Sequence, residues 1–179
     1  MKKKFTSQQI PELINNYNVY DGDGDRLIGL TDTTSMPELV AKTVTVSGAG
    51  MLGEYAAVVL GHFNSITQTL NFRILYGNAL SLFAPGKDVA LSVRGAIQYD
   101  DAGAGTTDMI GVRYVLSGKA KQLTIGDMKA GDAQNASVQI EVTRILIELD
   151  GEVVLELDKK NMVYKVDGVD YAEKLRRLC

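Results

Sequence analysis

Leu149-Asp150-Gly151-Glu152-Val153-Val154-Leu155-Glu156-Leu157-Asp158 runs on through Asn161-Met162-Val163-Tyr164-Lys165-Val166-Asp167-Gly168-Val169-Asp170, and together they set an antiparallel β pattern. Asp150-Gly151 stands between two runs of alternating apolar residues. Both central positions of the tightest hairpin turn need positive φ, which Asp and Gly tolerate. Asp167-Gly168 repeats the device. In the tail that follows, Asp170 is placed to cap a helix with Glu173 three positions on, and Tyr171, Leu175 and Leu178 form one apolar stripe. Arg176 and Arg177 stand at the negative end of that helix's dipole.

Upstream the dominant period is also two. Ile66, Gln68, Leu70, Phe72 and Ile74 alternate with Thr67, Thr69, Asn71 and Arg73, which predicts a half-buried strand. Val138, Ile140 and Val142 alternate with Gln139, Glu141 and Thr143 in the same way. Beyond Arg144 the apolar set becomes Ile145, Ile147 and Leu149, a change of phase that predicts a bulge or twist inside one long strand. Val89, Leu91 and Val93, then Val112, Tyr114 and Leu116, supply further strands, separated by a Gly-rich loop over residues 100–107. Helix signals are few. Besides the tail, residues 78–83 between Gly77 and the Pro85-Gly86 stop fit a short helix, and residues 8–14 fit one more turn. The expected fold is mainly β, an antiparallel β-sandwich or open barrel with one or two short helices.

Composition bounds the function. The chain has 179 residues, 45% of them hydrophobic and 23% charged, which fits one domain over residues 1–179 burying roughly two thirds of its unfolded surface. Net charge is −3, with 19 Lys+Arg against 22 Asp+Glu, so no strong overall field gathers nucleic acid. The single cysteine, Cys179, excludes an intramolecular disulfide framework. Met1-Lys2-Lys3-Lys4 imitates the start of a secretion signal, but Thr6-Ser7-Gln8-Gln9 follows where an apolar stretch should be, so export by that route is not expected. No run of about 18 apolar residues predicts a membrane span, so insertion by this chain is not expected.

Catalytic, metal and cofactor sites find little support. Asp21, Asp23 and Asp25 have the spacing of the first calcium-loop ligands, with Asp32 where the last would stand, but Arg26 occupies the glycine position and Asp32 is shorter than the usual bidentate Glu. A solvated turn is the simpler reading, because Asp-Gly pairs build turns unaided. His62 is the only histidine, so neither a histidine metal cluster nor a Ser-His-Asp arrangement with a spare base can be assembled. Cys179 has no partner cysteine and no histidine nearby in sequence, which argues against a nucleophile. Gly48, Gly50 and Gly53 do not precede the Lys-Ser/Thr pair of a phosphate loop. Lys174, Arg176 and Arg177 form a solvated helix face.

One loop is different. Gly48, Gly50 and Gly53 surround Met51 and Leu52, and Tyr55, Ala56, Ala57, Val58 and Val59 follow. A flexible loop carrying this much apolar surface either folds back onto its own core or is covered by a neighbour, and the second reading makes Gly48, Gly50, Met51, Leu52, Gly53 and Tyr55 a subunit contact. Strands too long for a small closed barrel leave free sheet edges that a ring of subunits would pair.

The order of hairpin, Asn-Met strand, Val-Asp-Gly-Val-Asp turn and closing basic helix resembles the end of the major tail tube proteins of contractile-tailed phages and R-type pyocins. Gly48-Ala49-Gly50-Met51 resembles that family's glycine-rich loop, Asn18-Val19-Tyr20-Asp21-Gly22 its opening strand and turn, and Gly126-Asp127-Met128-Lys129-Ala130-Gly131-Asp132 a further loop. The resemblance spans nearly the whole chain.

It implies a non-catalytic subunit without cofactor that forms hexameric rings. The sheets of a ring would join into one continuous inner barrel, and the rings would stack into a rigid tube inside a contractile sheath. Expected partners are copies of the chain, the tail sheath subunit, the baseplate hub and the tail terminator. DNA would pass without specific binding, or an ion leak in a pyocin-like particle, and the protein would belong to the virion tail, assembled in the bacterial host cytoplasm. The polar faces of the two strands, Gln139, Glu141 and Thr143 with Thr67, Thr69 and Asn71, are then expected to face the lumen. Two other readings stay open, a free-standing β-sandwich binding module for calcium or sugar and the tube protein of a type VI-like secretion machine.

Overall fold

A computed structural model describes residues 5–84 and 86–179; the basic start Met1 to Lys4 and Pro85 of the expected helix stop lie outside them. Ten strands and two short helices follow in order: β1 Gln9–Tyr20, β2 Ala41–Val46, β3 Tyr55–Phe63, β4 Thr67–Phe72, α1 Gly77–Ser81, β5 Val89–Asp101, β6 Thr106–Thr124, β7 Ala136–Leu149, β8 Glu152–Asp158, β9 Val163–Val166, β10 Val169–Asp170 and α2 Glu173–Leu178. The main sheet runs β1-β5-β6-β7-β8-β9-β10, with β4 also paired to β7, while β2 and β3 make a separate two-stranded ribbon. Every pairing is antiparallel. The mainly antiparallel β expectation holds.

Both Asp-Gly turns form as read. Asp150 and Gly151 take φ of 50° and 81°, Asp167 and Gly168 take 52° and 80°. These values fit the two-residue turns that match strand twist, so β7–β8 and β9–β10 are tight hairpins.

Strand β7 organises the sheet because its second edge is shared. Its first half pairs with β4, from Phe72 opposite Ala136 to Thr67 opposite Glu141, and its second half pairs with β8, from Arg144 opposite Asp158 to Leu149 opposite Glu152. The expected change of phase lies at that junction. Opposite β6, Ser117 faces Arg144 and Gly118 faces Val142, so Thr143 is left over as a bulge. Val138, Ile140 and Val142 before it and Ile145 after it therefore all point into the core. They meet Ile66, Leu70 and Phe72 around β4, Leu91 of β5, Leu116 of β6 and Leu157 of β8. Gln68 also lies on the core side, fully buried, and its amide nitrogen donates to the carbonyls of Ser35 and Thr69 at 3.0 and 2.8 Å.

The bulge requires close backbone approach. A Cβ at Gly118 would fall far inside contact with the Glu141 carbonyl, whereas at Gly111, on the same strand, it would meet nothing. Gly118→Ala should therefore cost about 1–3 kcal/mol through forced separation of β6 and β7. That corresponds to a melting temperature lower by roughly 2–12 °C for a domain of this size, measured by thermal unfolding, with Gly111→Ala as a near-neutral control.

Three local expectations are corrected. The helical turn expected over residues 8–14 is absent: from Gln9 on these residues are the start of β1, where shifts of register after Pro11 and after Ile14 insert extra residues. Those bulges turn a strand's alternation into the helix-like spacing Ile10, Leu13, Ile14, and Pro11 is tolerated because β1 is an edge strand. The loop expected over residues 100–107 is shorter, because β5 and β6 pair out to Asp101 opposite Thr106 and only residues 102–105 turn. Asp101 shapes that turn by accepting from the Gly103 and Ala104 amides.

The third concerns Asp170, which does not cap the tail helix. Ala172 holds the N-cap position without a side-chain bond, since Asp170 is still paired in β10 and its carboxylate is taken by the Ala172 amide and, at 2.6 Å, by Arg176. Of the expected stripe, Leu178 and Tyr171 are exposed and Tyr171 precedes the helix.

Candidate functional site: an apolar arm and an uncovered sheet face

The β2–β3 ribbon projects as an arm. Val46 pairs with Tyr55 and Thr43 with Val58, and then Ala41 pairs with Phe63, so residues 59–62 face residue 42 alone. This wide bulge carries Gly61 at φ 74° and the exposed Leu60. At the base, Phe63 meets Tyr164 edge-on, with ring centroids 5.1 Å apart. Beyond the bulge little of the arm is covered. Val44, Met51, Tyr55 and Val58 are exposed and Leu52 is fully so, so the tip does not fold back onto the chain's own core. Gly50 and Gly53, at φ 88° and 135°, bracket Met51-Leu52 and hold a bend that other residues would strain. Gly48 is not in that region, and its carbonyl accepts the Met51 amide at 3.3 Å.

A two-stranded ribbon is marginally stable by itself in water, and an apolar tip adds an unfavourable exposed surface.

The main sheet has one face on the core and one face that, among the described residues, no other strand or helix packs across. On the uncovered face Thr67 lies opposite Glu141, Thr69 opposite Gln139 and Asn71 opposite Ser137, which places the polar residues expected together on one surface. Thr143, in the bulge, donates to the Ser117 carbonyl at 3.4 Å.

This face carries cations as well. Register slips between Ala120 and Gln122, turning Lys121 onto the same side, where its ammonium reaches Glu141 at 3.0 Å and also meets the Thr67 hydroxyl. Glu141 further accepts from the Ser65 hydroxyl at 2.7 Å and the Ile66 amide at 3.3 Å. Partial burial resists ionisation of Glu141, but the bonds from Ser65, Lys121 and Ile66 and the charge of Lys121 outweigh it and hold the carboxyl below its ordinary value.

Sequence reasoning missed the rest of this face. Past the bulge Arg113 pairs with Glu148 at 3.2 Å, and Glu156 takes both Arg144 and Lys165 at 3.4 Å. The Arg94 guanidinium lies 4.6 Å from the centre of the Tyr20 ring. Each pair joins residues on different strands, and only the register brings them together. Applying the phase change at Thr143 to the rest of β7 would have placed Arg144, Leu146 and Glu148 on the polar side.

The remaining candidates are structural. Asp21 accepts from the Asp23 and Asp25 amides at 3.1 and 2.8 Å and closes its own turn, while Asp32 pairs with Arg73 at 3.1 Å. Among the described residues no three His, Cys, Asp or Glu side chains are grouped to hold a metal ion, and no helix is long and apolar enough to cross a membrane.

A model of the family phage tail tube protein FII matches residues 11–178. The chain belongs to that family. The chain is 29% identical over 153 residues to the tail tube protein of Escherichia phage P2, covering 83% of this chain and 86% of that one. It is 27% identical over 160 residues to the major tail tube protein of Serratia phage KSP20, covering 89% and 90%. In fold it is similar to the sheath/tube terminator of an extracellular contractile injection system in its extended state, with TM-score 0.55 and 10% identity, over 77% of this chain and 96% of the other. The resemblance drawn from the closing hairpins and tail therefore holds, and the chain is a structural subunit of a contractile-type phage tail.

Acid should weaken the subunit. Partial burial works against ionisation of Asp158, yet bonds from the Asn161 side chain and the Asn161 and Lys160 amides, with the charge of Arg144, hold its carboxyl below the ordinary value. Asp170 is lowered chiefly by the bond from Arg176. Carboxyls depressed in the fold contribute stability that is fully present above their unfolded values near 4 and is lost as pH falls through the folded ones. Melting temperature should therefore hold from neutrality to about pH 5 and fall below it, and Asp158→Asn should flatten that fall.

Proposed function

We propose that this chain closes laterally into hexameric rings and stacks them into a hollow conduit for genome ejection or envelope puncture. The arm carries this reading: an apolar tip held out from the body is favourable only when a second copy covers it. Gly48, Gly50, Met51, Leu52, Gly53 and Tyr55 form the contact between rings.

Lateral closure uses the open sheet edges. Among the described residues the far side of β1 is paired only near its end, through Leu27 to the Val19 carbonyl and Tyr20 to Arg26, and no such pairing covers the earlier part of the strand. Joining such edges around a ring abolishes them and makes the main sheets one inner barrel. The uncovered face, with Gln139, Glu141, Thr143, Thr67, Thr69 and Asn71, then lines the lumen. DNA passes it without specific binding. The sheath subunit surrounds the tube, the baseplate hub lies below and the terminator above, and the subunit assembles in the host cytoplasm without catalysis or cofactor.

Sedimentation velocity across a concentration series tests ring formation. Contacts of this type bury on the order of 2,000 Å² or more, so a slowly dissociating ring or longer species is expected. A compact monomer throughout, even on a tail-tip template, would overturn the reading.

A further inference from the structure

We propose that Glu148 and Glu156 are guard carboxylates, which offset most of the positive charge of Arg113, Arg144 and Lys165 so that double-stranded DNA slides over this face without being held. The inference rests on the reading that this face lines the lumen.

Height above the sheet carries it. The side chains of Arg113, Arg144 and Lys165 are 45, 49 and 43% exposed, whereas Glu148 and Glu156 are 18 and 21% exposed. The cations stand outermost, where a passing polyanion would meet them, and the carboxylates lie beneath. Cross-strand pairing explains the floor: Arg113 of β6 lies opposite Glu148 of β7, and Glu156 of β8 lies opposite Lys165 of β9.

Without these carboxylates Arg113 of β6, Arg144 of β7 and Lys165 of β9 would lose their salt-bridge partners, Arg144 keeping only the charge of Asp158 opposite it. Each phosphate that a free Lys or Arg neutralises releases counterions and strengthens binding, and repetition around and along a tube multiplies the effect. Arg94 is restrained in another way, by Tyr20 and by the Ser92 hydroxyl that its Nε reaches at 3.4 Å. Lys121 is covered by Glu141. Arg113, Arg144, Lys165 and Lys121 are thus held by carboxylates, and Arg94 by ring packing.

The test separates charge masking from the position of the face. In unassembled protein the face is accessible wherever it ends up. Binding of a short, blunt, fluorescent double-stranded DNA is read by anisotropy across a salt series for the natural protein, Glu148→Gln/Glu156→Gln, and the same variant with Arg113→Gln, Arg144→Gln and Lys165→Gln added. The double variant should bind at least tenfold more tightly at low salt, with log affinity falling against log salt more steeply by about 2–3, near 0.9 for each phosphate engaged. The fivefold variant should return to the natural level, which a purely structural role for the carboxylates would not produce. No gain in the double variant, or a gain that persists in the fivefold variant, overturns the proposal.

The underlying reading is tested separately with Leu146→Cys in a Cys179→Ser background, since Leu146 lies on the same face opposite Glu156. In assembled tubes a small maleimide should label it and a maleimide on a long polyethylene glycol should not. Ready labelling by the bulky reagent would overturn the lumen assignment, whatever the DNA result.

Discussion

Tubes should fail to grow when Met51 and Leu52 are both replaced by Ser, while the subunit itself melts as before. Both side chains are exposed in the subunit, so their loss removes no packing from its own core. Surface changes of that kind usually alter stability by no more than about 0.5 kcal/mol. Covered by a neighbour, each would contribute roughly 1.5–3 kcal/mol, and even the lower value for two side chains weakens one contact by about a hundredfold. Every subunit of a ring contributes an arm, so the loss multiplies and stacking stops before ring closure does. Negative-stain microscopy gives the length distribution and thermal unfolding gives the stability. Full-length tubes from the variant would show that the arm does not join rings, and a collapse in melting temperature would return the tip to the subunit's own core.

Particles built with Asn71→Lys and Gln139→Lys should assemble and contract yet release DNA slowly, with the defect relieved by added salt. Gln139 and Asn71 lie on the uncovered face, and neither side chain anchors the Glu141 network, which would be broken by a lysine at 141 itself. The exchange adds two cations per subunit with no carboxylate to mask them. A basic ring then repeats at every level of the stack, and weak attraction for phosphate becomes strong retention. Screening shortens its reach to about 8 Å at physiological salt and to about 3 Å at 1 M, so ejection should recover as salt rises. Normal ejection at low salt would place these side chains away from the channel.

What could be read from the sequence follows from the range of the forces involved. Asp150-Gly151 and Asp167-Gly168 were legible because positive φ is a property of the turn residues themselves. The bulge at Thr143 was legible as a change of phase, because core-facing residues on both sides of it are apolar. Strand β1 was not, since two bulges within six residues imitate a helical spacing. Nor was the role of Asp170, whose carboxylate prefers a guanidinium six residues on to the helix terminus beside it. Lys121 and the Arg113, Arg144 and Lys165 pairs were hidden for a different reason. Each depends on which residue of a distant strand lies opposite, and that register is fixed only when the whole sheet is assembled. The apolar arm was visible as composition, but its separation from the main sheet rests on the wide bulge at Gly61, for which a lone glycine is a weak signal.

The most direct measurement is a cryo-EM reconstruction of tubes grown from the purified protein, at a resolution that traces strands. It should show six-fold rings, with the free edge of β1 paired to a neighbour's sheet, the Met51-Leu52 tip seated on the adjacent ring, and Gln139, Glu141, Glu148 and Glu156 facing the bore. A tube with the uncovered face turned outward, or with the arm free in solvent, would contradict the account.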